Sequence, residues 1–277
     1  LLLTNCTFDG LVYNVEQVME EVLAIKSDII FLWDEAWFAF AGFTYTYKQR
    51  TAMFVANKLR RKYHSEEYKA KYEALKATKD PASATMPDPD KVKVRVYSTQ
   101  STHKTLSAFR QGSMIHIHDE EFKRKAEDSF SEAYMTHTST SPNYQILASL
   151  DAGRRQVQFE GFEMVEKSLE MAMILRTKIN EHPNLRKYFD ILTVRDIIPE
   201  EYRKTGIGNY YDADTGNSNM EKAWAKDEFV LDPTKINLFI GKTGMDGDTF
   251  KNRYLMDQFG IQINKTSRNS VLFMTNI

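Results

Sequence analysis

Asp28-Ile29-Ile30-Phe31-Leu32-Trp33-Asp34 is the stretch on which the fold turns. Residues 28 to 33 read as a strand buried on both faces of a sheet, since Ile29 to Trp33 are apolar without alternation. Upstream, Leu1 to Thr4 also reads as a strand. Asn14 is positioned as an N-cap, with Gln17 three residues on as in a capping box. Val15, Val18, Met19, Val22 and Leu23 then follow helical spacing to about Ile25. Strand, helix, strand in this order predicts a βαβ unit and a parallel sheet. Active groups in such sheets lie at the carboxyl ends of the strands, where Asp34 falls. A second, β-branched run (Val92, Val94, Val96) leads to Ser101-Thr102-His103-Lys104 and a small-residue segment, Thr105 to Ser113. Lys104 therefore also sits just beyond a strand end.

Those residue types suggest a chemistry. A neutral lysine amine condenses with an aldehyde, hydroxyls bond phosphate oxygens, and a carboxylate pairs with a protonated pyridine nitrogen. Lysine and aspartate at two strand ends is the combination that pyridoxal 5'-phosphate (PLP) requires. Taken singly each signal is weak, since Lys104 also reads as a solvated loop lysine and Asp34 as a turn or helix cap.

Four segments carry a family resemblance: Asn5-Cys-Thr-Phe-Asp-Gly10, Asp34-Glu35-Ala36-Trp37-Phe38-Ala39-Phe40, Tyr97-Ser-Thr-Gln-Ser-Thr-His-Lys104, and Thr138-Ser-Thr-Ser-Pro-Asn-Tyr-Gln-Ile-Leu-Ala-Ser-Leu-Asp151. In this order they resemble the bacterial-type ornithine/lysine/arginine decarboxylases, PLP-dependent enzymes of the aspartate aminotransferase fold type. From Val230 onward the likeness is diffuse. The resemblance implies an α/β fold, the PLP-binding large domain with a mostly parallel sheet, followed by part of a smaller α+β domain. Residues 1–150 would be the C-terminal portion of the large domain, 151–225 connecting helices and a loop, and 226–277 the start of the small domain.

The same resemblance implies decarboxylation of arginine, lysine or ornithine in a homodimer or higher homo-oligomer. Lys104 would carry the cofactor as an imine, and Asp34 would hold the pyridine nitrogen protonated. Ala36, two residues on in an extended chain, would pack flat on one ring face. Ser101 and His103 would lie at the phosphate or near the ring, with His103 alternatively acting on a proton near Cα. Thr138, Ser139 and Thr140 would reach the cofactor phosphate of the partner subunit, and Thr7 would face the cofactor side. Trp37 reads equally as pocket lining, interface or core. Two other classes stay open. An aminotransferase would share Asp34 and Lys104 but give a keto acid instead of an amine. A non-catalytic homologue would keep the fold, although retention of Asp34, Ala36, His103 and Lys104 together argues against it.

Composition narrows the remainder. In 277 residues, 42% hydrophobic and 27% charged content describe an ordinary globular chain with room for a sizeable core. A net charge of -1 supplies no global field for nucleic acid or an anionic membrane. Cys6 is the only cysteine, which favours a reducing compartment, the cytoplasm. No apolar run approaches the roughly 20 residues of a membrane span. Strand-like runs at both ends, Leu1 to Thr4 and Val271 to Ile277, predict a fragment of a longer polypeptide. The missing strands, the phosphate-binding turn and the ring-stacking residue are expected before Leu1.

Between the two motifs, residues 50 to 77 read as one long charged helix. Its basic run Lys58-Leu-Arg-Arg-Lys62 interleaves with Glu66, Glu67 and Glu73 and reads as a solvated face, not a nucleic-acid site. Asp80 to Asp90, rich in Pro, Ala and Asp, reads as loop. Ser113 to His118 reads as another parallel-type strand, Asp119 to Ala133 as a helix, and Tyr144 to Lys178 as a helix bent near Gly153. Residues 205 to 220 read as a polar loop. Strand (235–240), helix (248–259), strand (260–264) and strand (270–275) follow. Gly241-Lys242-Thr243 lacks the upstream glycine of a phosphate loop, since residue 236 is Ile. His116 and His118 with Asp119 lack the further ligands of a metal site, so no metal is expected. Asp246-Gly-Asp248 lacks the rest of a calcium loop.

Overall fold

The computed structural model describes residues 1–210 and 218–275. Part of the 205–220 loop and the end of the last predicted strand therefore lie outside the described residues. Contacts divide the chain into two compact units, Leu1–Cys6 with Tyr13–Phe159, and Thr7–Val12 with Glu160–Ile277.

The first unit is built on a four-stranded sheet. Strand β1 (Leu2–Thr4) is followed by β2 (Leu11–Tyr13), which lies outside this sheet, and by helix α1 (Val15–Ile25), capped as expected by Asn14 Oδ1 accepting from Gln17 N at 3.1 Å. Val15, Met19 and Leu23 on one face of α1 are buried. β3 (Ile30–Asp34) then pairs in parallel with β1, placing Thr4 opposite Asp34. A short helix α2 (Tyr45–Lys48) leads to α3 (Ala52–Tyr63) and α4 (Glu66–Ala77). These return the chain to β4 (Arg95–Gln100), parallel to β3, with Thr99 opposite Asp34. The core lies between α1, α3 and one sheet face, where Phe31, Trp33, Val96, Val55 and Leu59 are fully buried.

The long helix expected over 50 to 77 is two helices. Ser65 adopts an extended conformation, and its side chain accepts from Tyr68 N. The charges match the break: Arg60, Arg61 and Lys62 fill the last turn of α3, and Glu66 and Glu67 the first turn of α4. Each set opposes the dipole of its own helix end. Lys58 and Lys62 pair with Glu16 and Glu20 of α1, so the basic run is a solvated face.

β4 leads through Ser101 into the single turn α5 (Thr102–Thr105). The next strand, β5 (Met114–Asp119), pairs antiparallel with β4, giving the order β1-β3-β4-β5. Here the expectation of a fourth parallel strand fails. A parallel return needs a crossover long enough to pass over the sheet, usually a helix, and α5 is only one turn. A π-helical turn (Phe122–Ala126) and α6 (Glu127–His137) follow, and α7 runs unbroken over Tyr144–Glu181. Gly153 answers to crowding: a Cβ there would stand 2.7 Å from the Ser107 carbonyl oxygen.

The second unit carries an antiparallel sheet of order β6 (Asp190–Ile191), β8 (Lys235–Phe239), β10 (Ser270–Met274), β9 (Lys265–Thr266). Its core includes Ile191, Ile236, Leu238, Phe250 and Val271. β2 pairs with β7 (Phe229–Leu231). Gly10, at φ +95°, opens that turn with its N–H on the Thr7 carbonyl. Helical turns span residues 247–259 as expected. The strand expected at 260–264 is absent, and pairing begins at Lys265.

Candidate active site

The carboxyl ends of β3 and β4 place Asp34 and the Lys104 turn in one unit. Asp34 ends β3 between Thr4 and Thr99 in the sheet register. The ladder continues one residue further through the Glu35 N–H, which donates to the Thr99 carbonyl at 2.9 Å. The chain then turns at Ala36 and Trp37 and does not run on extended. The turn closes on Asp34, whose Oδ1 accepts from Ala36 N at 2.9 Å. The second carboxylate oxygen takes no hydrogen bond among the described residues.

Lys104 sits on α5, the turn that begins where β4 stops. Its Nζ lies 4.8 Å from the centroid of the Trp37 ring and has no ion pair or hydrogen bond among the described residues. His103 is fixed more firmly, with its N–H and its Nδ1 both on the Gly112 carbonyl, at 3.3 and 2.8 Å. A carbonyl only accepts, so Nδ1 carries a proton and, in the neutral ring, Nε2 is left as an acceptor. Ser101 precedes the turn with no capping bond from its hydroxyl. Thr102 and Thr105 on the same turn are buried, and among the described residues their hydroxyls have no hydrogen-bond partner.

The other predicted residues stand apart from this group. Thr138, Ser139 and Thr140 form an exposed loop between α6 and α7. Thr138 Oγ1 donates to the Tyr134 carbonyl at 2.7 Å, and Ser139 Oγ accepts from Ser141 N at 3.0 Å. Thr7 belongs to the second unit, where its Oγ1 accepts from Leu11 N at 3.0 Å. Among the described residues no cluster of three potential metal ligands exists. His116 is instead bonded through Nε2 to Gln100 at 3.0 Å.

Glu35 is the residue whose importance the sequence did not reveal. It is fully buried, and desolvation holds its carboxyl above the ordinary range against the opposing pull of hydrogen bonds from Ala52, Asn5 and Gln100. An acidic residue directly after a strand-end Asp is the signal that could have marked it.

The site therefore offers an uncommitted amine, a carboxylate with a free oxygen, a fixed imidazole and unpartnered hydroxyls at adjacent strand ends. The sequence profile of the Orn/Lys/Arg decarboxylase major domain matches residues 55–277. The chain belongs to the Orn/Lys/Arg decarboxylase family. The family match continues through the region after Val230, where the motifs are diffuse.

Its family relatives include lysine decarboxylase of Hafnia alvei, 29% identical across 100% of this chain and 32% of that protein. The biodegradative arginine decarboxylase of Escherichia coli is 32% identical over 54% of this chain and 15% of its own. Among solved structures, lysine decarboxylase A of Pseudomonas aeruginosa superposes with a TM-score of 0.66 at 26% identity, covering 99% of this chain and 34% of that one. The chain thus spans about a third of the length of the lysine decarboxylases it matches. The fold is the α/β fold of the solved lysine decarboxylases. Among the described residues no helix is long and apolar enough to cross a membrane.

Proposed function

We propose that the full-length protein is a cytoplasmic, PLP-dependent decarboxylase that converts arginine, lysine or ornithine to the corresponding amine. The observation that carries this reading is the pair Asp34 and Lys104: family motif residues at neighbouring strand ends, each with its functional atom uncommitted. The donor set fits PLP. Lys104 would hold the aldehyde carbon, Asp34 would keep a proton on the pyridine nitrogen, and the hydroxyls of Ser101 and Thr102 would serve the phosphate. Bound PLP supplies an electron sink for the carbanion left when carbon dioxide departs.

The chain's own residues do the remainder. Lys104 must be neutral to bond the aldehyde, and the Trp37 ring lies against its amine, with Nζ 4.8 Å from the ring centroid. The Ala36 N–H holds Oδ1 of the Asp34 carboxylate, which leaves Oδ2 without a hydrogen bond among the described residues. Ala36, with only a methyl side chain, leaves room for a flat ring. His103, tied to Gly112, presents Nε2 as an acceptor for a proton near the reacting carbon or, with the ring protonated, as a donor to the phosphate. The active enzyme is proposed to be a homodimer or larger, with Thr138 to Thr140 serving the neighbouring site and Thr7 facing the cofactor.

The test supplies the full-length protein with PLP and, separately, each of the three basic amino acids. Release of carbon dioxide with the matching amine supports the proposal. Formation of a keto acid with all three would replace it by aminotransfer.

A further inference from the structure

Directly after Asp34 stands a buried carboxyl that the proposed chemistry does not use, Glu35. Glu35 Oε1 accepts from Asn5 Nδ2 at 2.9 Å and from Ala52 N at 2.7 Å. Oε2 accepts from Gln100 Nε2 at 3.2 Å. These donors come from the residue after β1, the first turn of α3 and the last residue of β4. Because the Gln100 amide N–H faces a carboxylate, its Oε1 faces His116 on β5, and the imidazole Nε2 donates at 3.0 Å. One carboxylate thus joins the carboxyl ends of β1, β3 and β4 directly and reaches His116 of β5 through Gln100.

A buried carboxylate is an expensive way to achieve that if only stability is at stake. Burial disfavours its charge and holds the carboxyl above its ordinary range. A carboxylate does, however, accept from three donors without offering a hydrogen back, whereas an amide presents an NH2 group to one of them. The geometry it maintains is that of the next turn. Glu35 lies between Asp34 and Ala36, and the Ala36 N–H sets the Asp34 carboxylate.

We infer that Glu35 is a positioning residue that clamps the strand ends and so aims the free oxygen of Asp34 toward the cofactor's pyridine nitrogen. This rests on the reading that Asp34 meets that nitrogen.

The experiment is a double-mutant cycle in the full-length protein with Glu35→Gln, Asp34→Ala and the pair. PLP affinity is read by titrating the absorbance band of the loaded protein, and fold integrity by the thermal midpoint of the PLP-free form. Glu35→Gln alone should weaken PLP binding about tenfold, the effect of one buried polar contact mispaired. On the Asp34→Ala background the further weakening should be less than about twofold, because the group being aimed is gone. The midpoint should fall equally on both backgrounds. If Glu35→Gln does not fold, Gln100→Leu enters the cycle in its place, removing one arm of the clamp. Equal weakening of PLP binding on both backgrounds overturns the inference, as does unchanged binding in Glu35→Gln. An unsubstituted protein that takes up no PLP overturns the functional reading, and this inference with it.

Discussion

The Lys104 amine lies 4.8 Å from the centroid of the Trp37 ring, and no carboxylate among the described residues competes for it. The aromatic face holds the amine by a cation–π contact worth about 0.5–1 kcal/mol at an exposed site, weak enough to release it to an aldehyde. The first prediction follows. Borohydride reduction of the PLP-loaded full-length protein, then peptide mapping, should place the phosphopyridoxyl group on Lys104. A label on another lysine would reject the assignment. Trp37→Ala should slow PLP uptake while leaving the modified residue the same.

Asp34→Asn should reduce turnover about a hundredfold or more, the consequence of roughly 3 kcal/mol of lost transition-state stabilisation. PLP content should fall much less, since an amide still hydrogen-bonds but does not stabilise a pyridinium charge. Turnover and bound PLP, measured on one preparation, separate the two effects. Near-normal turnover would mean that Asp34 is not the ring's partner.

Stability should fall on mild acidification. Burial holds His116 below its ordinary value of 6.5, and burial with nearby Arg60 does the same for His118. The unfolded chain therefore binds more protons in this range, so these groups stabilise fully above about pH 6.5 and progressively less as pH falls toward their folded values. Each imidazole contributes a slope of at most about 1.4 kcal/mol per pH unit. Glu35 has the opposite sign: its raised carboxyl favours the protonated folded form, and that contribution is lost as pH rises through its folded value. Thermal midpoints between pH 7.5 and 5 isolate the histidines. The unsubstituted protein should lose stability faster than the His116→Asn/His118→Asn variant. Parallel curves would show that these imidazoles do not set the acid response.

What the sequence disclosed follows from how local each signal is. The cap at Asn14, the strand ending at Asp34 and the position of Lys104 just past β4 depend on neighbours in the chain, and each was readable. Burial of both faces of that strand was not, since Ile30 and Leu32 are exposed while Phe31 and Trp33 are buried. The antiparallel direction of β5 depends on the length of α5, and the break at Ser65 on a cap within a run that is helical by composition. Glu35 was hidden for a different reason. Its partners Asn5, Ala52 and Gln100 are scattered along the chain, and only the folded sheet brings them together. The bend expected at Gly153 misread a glycine that serves close packing against Ser107.

The exposed loop Thr138 to Ser141 supports the last prediction. Its hydroxyls are engaged only locally, with Tyr134 and within the loop, and among the described residues they make no hydrogen bond to the Lys104 turn. A loop that served its own chain's site would have to leave these bonds. One that serves a second copy can keep its fold and be presented across an interface. In a two-fold dimer each site would then draw Lys104 from one chain and the loop from the other. Mixing an inactive Lys104→Ala protein with an inactive variant carrying Ser139→Trp and Thr140→Trp should restore activity, because one of the two hybrid sites carries neither lesion. Random exchange makes about half of the dimers hybrid, so recovery should approach about a quarter of the unsubstituted activity per site. Subunit exchange is checked by differently tagged chains. Full exchange without recovered activity would assign the loop to its own subunit's site or remove it from catalysis.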